Sequence, residues 1–260
     1  MSDDIKRLFF GLEVVAPWPE QFPAGRIIQD RHITLAFLGN FSLEKALQLA
    51  LDAPKIQFSP VGIFSECVFL PKKRPRVCAW HINWLSSFTP FQSAFTDYLI
   101  EKSALEPSEK TFLSHVTLCR APFNKTEWKN AFTALPVYAS KIHLYESVGS
   151  LQYVPRYSYP LAAPFIEIEH TADIAFEIQA STIQDLFIHA QIALTFTFPE
   201  LIPYFFTKYD PKNIEEIISQ LNLMIAEADS EIGSPVKAVS FHGEICEKNS
   251  VLSWQMIVDV

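Results

Sequence analysis

The sequence has no apolar run long enough to cross a membrane, and its start does not resemble a leader peptide. No uninterrupted apolar stretch approaches the ~20 residues that span a bilayer. Residues 2–4 are Ser-Asp-Asp, where a signal peptide would carry basic and then apolar residues. Cysteine is scarce and forms no C-x-x-C pair; the copies are Cys67, Cys78, Cys119 and Cys246. We therefore expect a soluble cytoplasmic protein with no membrane partner and with free, mostly buried thiols.

Charge is divided unevenly along the 260 residues. Residues 1–163 hold 17 Lys and Arg against 14 Asp and Glu, whereas residues 164–260 hold 4 against 15. The net charges are therefore +3 and −11, which together give the −8 of the whole chain. This division predicts two domains, 1–163 and 164–260. The first is suited to phosphate and the second to a cation or a basic protein surface, although acidic residues also form ordinary solvated faces.

One tetrapeptide pattern occurs twice, as His32–Leu35 (HITL) and His115–Leu118 (HVTL). Successive side chains of a strand point to opposite faces, so the apolar members of each copy, and Phe37 after the first copy, are expected in a core. The histidine and threonine of each copy then share the other face. If the two strands lie side by side, two histidines and two threonines converge on one small anion.

These side chains suit acid–base chemistry on a phosphate. An imidazole titrates near neutral pH, so one of His32 and His115 can take a proton from water while the other gives one to a leaving oxygen. The hydroxyls of Thr34 and Thr117 can donate to phosphoryl oxygens. This mechanism requires no metal and no other cofactor. Because the motifs are nearly symmetric, the sequence leaves open which histidine is the acid and which is the base.

Further segments of the first domain extend the pattern, namely residues 7–12 (RLFFGL), Arg76-Val77 with Trp80, residues 144–147 (LYES), Gly149 and Tyr153. With the two motifs, residues 5–162 resemble the 2H phosphoesterases, specifically the RNA 2′,3′-cyclic phosphodiesterase branch once called 2′-5′ RNA ligases. Ser114 stands where that family usually has a proline before the second histidine.

The resemblance implies an α+β fold in which antiparallel sheets with flanking helices form two lobes. It also implies hydrolysis of RNA 2′,3′-cyclic phosphate ends to 2′-phosphate, with His32 as proton donor, His115 as proton acceptor, and Thr34 and Thr117 holding the non-bridging oxygens. We expect Arg74, Arg76 and Arg120 to contact the substrate. The first two lie in a basic loop between prolines, residues 71–76, which could instead be an ordinary solvated loop.

Helix signals flank the strands in both halves. Ser42 is expected to cap a helix whose inner face includes Leu51. Thr89-Pro90 is expected to open another helix, with an inner face of Phe91, Phe95, Tyr98 and Leu99. In the second half, Ser181 with Gln184 and Asn213 with Glu216 form candidate capping boxes. His81, His143 and His189 have no partners in the sequence, and we treat them as ordinary strand or helix residues.

The second half contains three blocks that also match a known family, namely residues 169–174 (EHTADI), 237–242 (KAVSFH) and 258–260 (VDV). They resemble archease, the acidic cofactor protein of the GTP-dependent tRNA-splicing RNA ligase. The resemblance implies a small α+β domain with a divalent cation, usually calcium, held by Asp173, Asp259 and the terminal carboxylate of Val260. His170 and His242 are expected to make structural hydrogen bonds. The segment 228–235 is shorter than in archease, so the sheet is expected to be smaller.

These observations predict an RNA 2′,3′-cyclic phosphodiesterase joined to a metal-binding, archease-like domain linked to RNA ligation and tRNA processing. The expected partners are RNA ends with 2′,3′-cyclic phosphate and the tRNA-splicing ligase. Two alternatives remain open. The chain could be a non-catalytic cofactor that grips RNA ends for the ligase, or a 2H enzyme acting on another cyclic or 2′,5′-linked nucleotide.

Overall fold

A computed structural model describes residues 4–86, 88–109, 111–170, 173–233, 236–240 and 243–260. It contains two β-sheets with helices packed on them, and the pairings between strands within each sheet are antiparallel. The strands of the first sheet are β1 (Ile5–Val15), β2 (Arg26–Ile27), β3 (His32–Ser42), β4 (Val61–Leu70), β5 (Val77–Trp84), β6 (His115–Arg120), β7 (Pro136–Gly149) and β8 (Gln152–Pro160). Those of the second are β9 (Phe165–Ile168), β10 (Ile174–Ala180), β11 (Ala238–Val239), β12 (Cys246–Lys248) and β13 (Val251–Asp259).

The first sheet closes into a ring of pairings with two narrow joins. Strand β1 pairs with both β3 and β7, and β5 pairs with both β4 and β6. The joins are short, because β3 meets β6 through Ile33 and Val116 alone, and β4 meets β7 through Val61–Ile63. The ring therefore has two lobes, one of β1, β3, β7 and β8 and the other of β2, β4, β5 and β6. The structure confirms the predicted α+β class, with antiparallel sheets and flanking helices.

Three helices cover the first sheet: α1 (Leu43–Asp52), α2 (Phe88–Glu101) and α3 (Lys125–Asn130). Helix α2 buries three of the residues predicted for its inner face, Phe91, Phe95 and Leu99, whereas Tyr98 is half-buried; Phe88 at its start is also buried. Ser42 occupies the cap position of α1, but its side chain makes no capping hydrogen bond. The prediction that Leu51 faces inward was wrong, since it is exposed at the edge of the apolar face of α1.

The second sheet carries α4 (Ile183–Thr197) and α5 (Ile214–Ile232), with a short 3-10 helix at Pro199–Tyr204 between them. The predicted cap of α5 is confirmed, since the Asn213 side chain accepts a hydrogen bond from the backbone N–H of Glu216. The predicted cap of α4 was wrong by one residue. Thr182 is the cap and accepts from the N–H of Asp185, because its extended backbone aims the hydroxyl at the third residue of the helix.

The two sheets meet at a small apolar junction formed around α4. Ile188 and Ile192 on this helix pack with Val61 at the start of β4, and partly buried aromatic side chains surround them. Ten consecutive residues of α4, Leu186–Thr195, are buried, because the helix is covered by the second sheet on one side and by the first on the other. The two halves therefore share packing at this helix. No helix among the described residues is long and apolar enough to cross a membrane.

The junction predicts that the stabilities of the halves are coupled. Ile192 is 0% exposed, so Ile192→Ala should lower the free energy of unfolding by about 3 kcal/mol through lost packing and a residual cavity. Urea unfolding followed by tryptophan fluorescence measures this effect. Ile232→Ala, at a position 54% exposed at the end of α5, is the matched control and should change stability by less than about 0.5 kcal/mol. Equal effects of the two substitutions would contradict the junction as a shared core.

Candidate active site

A cleft of about 780 Å³ lies between the lobes, and all four side chains of the repeated motif line it. His32 and Thr34 enter from β3, and His115 and Thr117 enter from β6. The cause is the antiparallel pairing of Ile33 with Val116, which sits between the histidine and threonine of each strand. Both apolar side chains are fully buried, so the polar neighbours on either side face the cleft. The expected convergence of the four side chains is thus what the structure contains.

The similarity between β3 and β6 extends to a β-bulge in each strand. Phe10 pairs with Ala36 and Gly11 with Thr34, so Leu35 is left out of the register. In the other lobe Leu118 is left out in the same way. Such a bulge reverses the alternation of the residues beyond it.

Phe37 was predicted to lie in the core, and that prediction was wrong. The side chain is 66% exposed and lines the cleft, because the bulge at Leu35 turns it to the same face as the histidine. Arg120 occupies the equivalent place after Leu118 and also lines the cleft. The bulges therefore add an aromatic ring from one strand and a guanidinium from the other to the same cavity.

Both histidines are held by the same local hydrogen bond. Nδ1 of His32 lies 2.8 Å from the carbonyl oxygen of Asp30, and Nδ1 of His115 lies 2.7 Å from that of Leu113. A carbonyl only accepts, so each Nδ1 carries the proton and donates it. Nε2 of each ring is then the atom available to take or give a proton in the cleft.

Aromatic rings enclose His32. The centroids of Phe9, Tyr145 and Tyr153 lie 5.0, 5.3 and 4.9 Å from that of the imidazole. Burial removes water from the charged form and lowers the pKa of His32 to about 4, although the bond to Asp30 opposes the shift. The His32 imidazole is therefore neutral at pH 7 in the free protein. A phosphate anion beside it would favour the protonated form.

His115 also has a lowered pKa, for a similar reason. Burial is the main cause, and the nearby His81 adds to it. His81 is the cross-strand partner of His115 on β5, and its Nδ1 lies 3.0 Å from the hydroxyl of Ser65. The lowered pKa favours the neutral form of His115, which can accept a proton at Nε2.

A glycine allows the aromatic wall to form. A Cβ on Gly11 would lie 3.0 Å from the carbonyl oxygen of Ile33 and 3.3 Å from the ring of Tyr145. A side chain at this position would crowd the ring of Tyr145, which lies beside His32. Behind Tyr145, Nε2 of His143 lies 3.0 Å from the carboxylate of Glu13. Hydrogen bonds from Ser140, His143 and Lys141 lower the pKa of Glu13 against the opposing effect of burial.

Not all of the arginines that were predicted to contact the substrate lie at the cleft. Arg76 and Arg120 line the cleft, whereas Arg74 is exposed in the loop between β4 and β5 and does not. Sequence reasoning did not select Arg7 or the contact of Tyr153 with His32, although both residues line the cleft. Arg7 could have been found from the alternation of β1, because it precedes Phe9 by two residues. The position of Tyr153 depends on the turn after β7, which contains Ser150 and Leu151 at φ 51° and 65°.

Two of the predicted metal ligands lie at the same end of the second sheet. Ile174 pairs with Val258, so Asp173 and Asp259 stand at the same ends of β10 and β13. The Ser240 hydroxyl donates to the Asp259 carboxylate at 3.4 Å. The Lys237 ammonium donates at 2.6 Å to a main-chain oxygen of Val260, the third predicted ligand.

Parts of the archease-like blocks, at 171–172 and 241–242, lie outside the described residues, and His242 is among them. Nδ1 of His170 lies 3.6 Å from the Asp173 carboxylate. Within the described ranges, no group of three or more His, Cys, Asp or Glu could hold a metal ion. The four cysteines are free, as expected, and the sulfurs of Cys67 and Cys78 approach to 3.6 Å. Both the metal site and the archease resemblance stay predictions.

Comparisons with known proteins match part of the chain. A solved phosphoesterase structure is 22% identical over 61% of this chain and 99% of its own, with a TM-score of 0.44. E. coli LigT in complex with 3′-AMP is 22% identical over 61% and 99%, with a TM-score of 0.42. A Thermus thermophilus structure is 18% identical over 60% and 97%, with a TM-score of 0.43. No protein-family model and no curated protein matches. The interpretation of the cleft therefore depends on its own geometry.

The enclosure of His32 predicts a pH-dependent stability. Its pKa is about 4 in the folded protein and near 6.5 when unfolded, so the unfolded chain binds more protons between these values. The free energy of unfolding should therefore fall as pH falls from about 6.5 to about 4, with a contribution on the order of 3 kcal/mol from His32. Urea unfolding of the wild type and His32→Asn at several pH values isolates this contribution. Parallel curves for the two proteins would contradict it.

Proposed function

We propose that this protein hydrolyses RNA 2′,3′-cyclic phosphate ends to 2′-phosphate, by the two-histidine mechanism of the 2H phosphoesterases. The observation that supports the proposal most directly is the pair of Nε2 atoms, one from each lobe, in a single cleft with two threonine hydroxyls. A site of this kind can move two protons during one displacement at phosphorus.

The reaction needs one proton acceptor and one proton donor. Water attacks phosphorus while one neutral imidazole takes its proton at Nε2, and the bond from phosphorus to the 3′ oxygen breaks. The other imidazole, protonated when the anionic substrate is bound, gives its Nε2 proton to that leaving oxygen. The phosphate stays on the 2′ oxygen. Family resemblance assigns the donor role to His32 and the acceptor role to His115.

The neighbours of the histidines supply the remaining interactions. Thr34 and Thr117 donate hydroxyl hydrogen bonds to the non-bridging oxygens, where negative charge develops. Arg76 and Arg120 add positive charge to the lining of the cleft. Phe37, which is exposed in the cleft, offers apolar ring surface for the terminal nucleoside. These groups would contact the phosphate and the ring of any base, so they favour an RNA terminus without specifying one base.

Substitution of either histidine tests this function. His32→Ala and His115→Ala should each lower the rate of cyclic phosphate hydrolysis by ~10²–10⁴, because each removes one proton carrier. The measurement uses a short RNA ending in 2′,3′-cyclic phosphate, with the terminus of the product identified, in the presence and absence of chelator. His170→Ala, at an exposed histidine outside the cleft, is the matched control.

Four outcomes would count against the proposal. Near-wild-type turnover in either cleft variant, or loss of turnover in chelator, would refute the mechanism. Tight binding of the RNA end without turnover in the wild type would favour the non-catalytic cofactor, and turnover of only 2′,5′-linked nucleotides would favour the other alternative.

We further propose that Asp173, Asp259 and the terminal carboxylate of Val260 hold a divalent cation, expected to be calcium, as the archease resemblance implies, and that this half contacts the tRNA-splicing ligase. The supporting observation is the register of β10 and β13, which brings both carboxylates to one end of adjacent strands. Carboxylate oxygens are hard donors of the kind that calcium prefers, so the donor set fits the ion.

Calcium should then raise the melting temperature of the protein, because an ion that binds only the folded form stabilises it. Asp173→Asn and Asp259→Asn should each reduce that rise, since each removes one negative charge from the donor set. Asp210→Asn, an exposed aspartate paired with Lys212, is the control and should keep the full rise. Equal calcium affinity in all four proteins, measured by titration calorimetry, would refute the site.

A further inference from the structure

One end of the second lobe carries a concentration of basic side chains, called here the basic tip. Its members are Arg26, Lys72, Lys73, Arg74, Arg76, Arg120, Lys125 and Lys129. They come from the start of β2, the loop between β4 and β5, the end of β6 and helix α3. All but Arg120 are exposed, and Arg120 lies at the cleft.

Backbone pairing and ring contacts join these segments into one surface. Arg120 pairs with Arg26 on one side and with Val77 on the other. The N–H of Ala121 donates to the carbonyl of Arg76 at 2.9 Å.

Aromatic contacts attach helix α3 to the same surface. The ring of Phe69 at the end of β4 stacks on Phe123 with centroids 5.6 Å apart. The ammonium of Lys125 lies 5.9 Å from the centre of the Phe69 ring. Helix α3 and the loop between β4 and β5 are therefore neighbours, and their charges act together.

The cations of the basic tip are not neutralised by the protein. In the described ranges, none of the eight has a carboxylate oxygen within 4.0 Å. The acidic residue on α3, Glu127, accepts a hydrogen bond from Asn124 instead. The other lobe differs, since Lys141 pairs with Glu13 and Arg156 pairs with Glu146. Like charges held together raise the free energy of the folded protein, so this surface is suited to an anionic partner.

The basic tip is continuous with the candidate active site. Arg76 and Arg120 belong to the tip and also line the cleft. The Nε of Arg120 is buried and has no hydrogen-bond partner in the structure. Three residues of strand separate Arg120 from Thr117, a distance of roughly 10 Å. A chain whose terminal phosphate lies at the histidines can therefore leave the cleft across the tip.

We propose that the basic tip binds the backbone phosphates of the RNA chain behind its cyclic end, so that the substrate is a polynucleotide and not a mononucleotide. This inference rests on the proposed function and specifies its substrate class. Lysine and arginine contacts to phosphates carry no base information, so the binding is independent of sequence and weakens as salt increases.

The test compares a 2′,3′-cyclic mononucleotide with a 12-nucleotide RNA that ends in the same cyclic nucleotide. The wild type should show a higher kcat/KM for the RNA, and only the RNA should show a steep dependence on salt. The triple variant Lys73→Gln, Lys125→Gln, Lys129→Gln should raise KM for the RNA roughly tenfold at low salt. It should also make the slope of log KM against log salt shallower by about 2, since each phosphate contact to a single strand contributes about 0.7.

A control variant removes the same number of charges elsewhere: Lys45→Gln, Lys55→Gln and Lys212→Gln. It should keep the wild-type preference for the longer RNA. Equal kcat/KM for the two substrates, or equal effects of the two triple variants, would overturn the proposal for the tip alone.

Failure of the proposed reaction is distinguished by a binding measurement. If no substrate is hydrolysed, fluorescence anisotropy with a labelled 12-nucleotide RNA still tests the tip, and weaker binding by the tip variant supports it. Salt-dependent binding of polyglutamate that matches the RNA in strength, and is lost in the same variant, would assign the surface to an acidic protein and overturn the RNA proposal.

Discussion

The candidate site depends on one contact between strands, the pairing of Ile33 with Val116. It is the only pairing between β3 and β6 that the described residues contain, and it joins the two lobes. Both side chains are 0% exposed, so turning either strand over would expose an apolar residue and bury a histidine and a threonine. Core packing therefore fixes the direction of the polar side chains, and symmetry of the two strands brings them to one cleft.

Enclosure by aromatic rings gives the cleft its chemistry, at a cost in stability that appears as the pH falls below about 6.5. The rings of Phe9, Tyr145 and Tyr153 exclude water from His32 and disfavour its charged form. The neutral imidazole of His32 has few polar neighbours at this enclosed position. An anion that binds beside it therefore changes its protonation more strongly than the same anion would in water. Perturbed titration of this kind is typical of functional sites, and here it coincides with hydrogen-bond geometry that leaves both Nε2 atoms free.

The sequence was sufficient for features that follow from local periodicity. Two-residue alternation predicted which faces His32 and His115 share, and helical spacing predicted the buried face of α2. It was insufficient at Phe37, because the bulge before this residue depends on how β3 pairs with β1, and the sequence of β3 alone does not indicate it. The cap of α4 at Thr182 was missed for a similar reason, since Ser181 and Thr182 are both good caps and backbone geometry selects between them.

The arrangement of charge agrees with a polyanion that approaches from one side. The acidic half is joined to the first sheet at Val61, where β4 begins, and the basic tip surrounds Leu70, where β4 ends. Ten residues of strand span about 33 Å, several times the ~8 Å screening length of physiological salt. Carboxylates that lie near Val61, where the acidic half is attached, therefore contribute little to the potential at the tip. Strand β4 therefore separates two surfaces of opposite charge, and a polyanion on the basic tip would lie far from the point where the acidic half is attached.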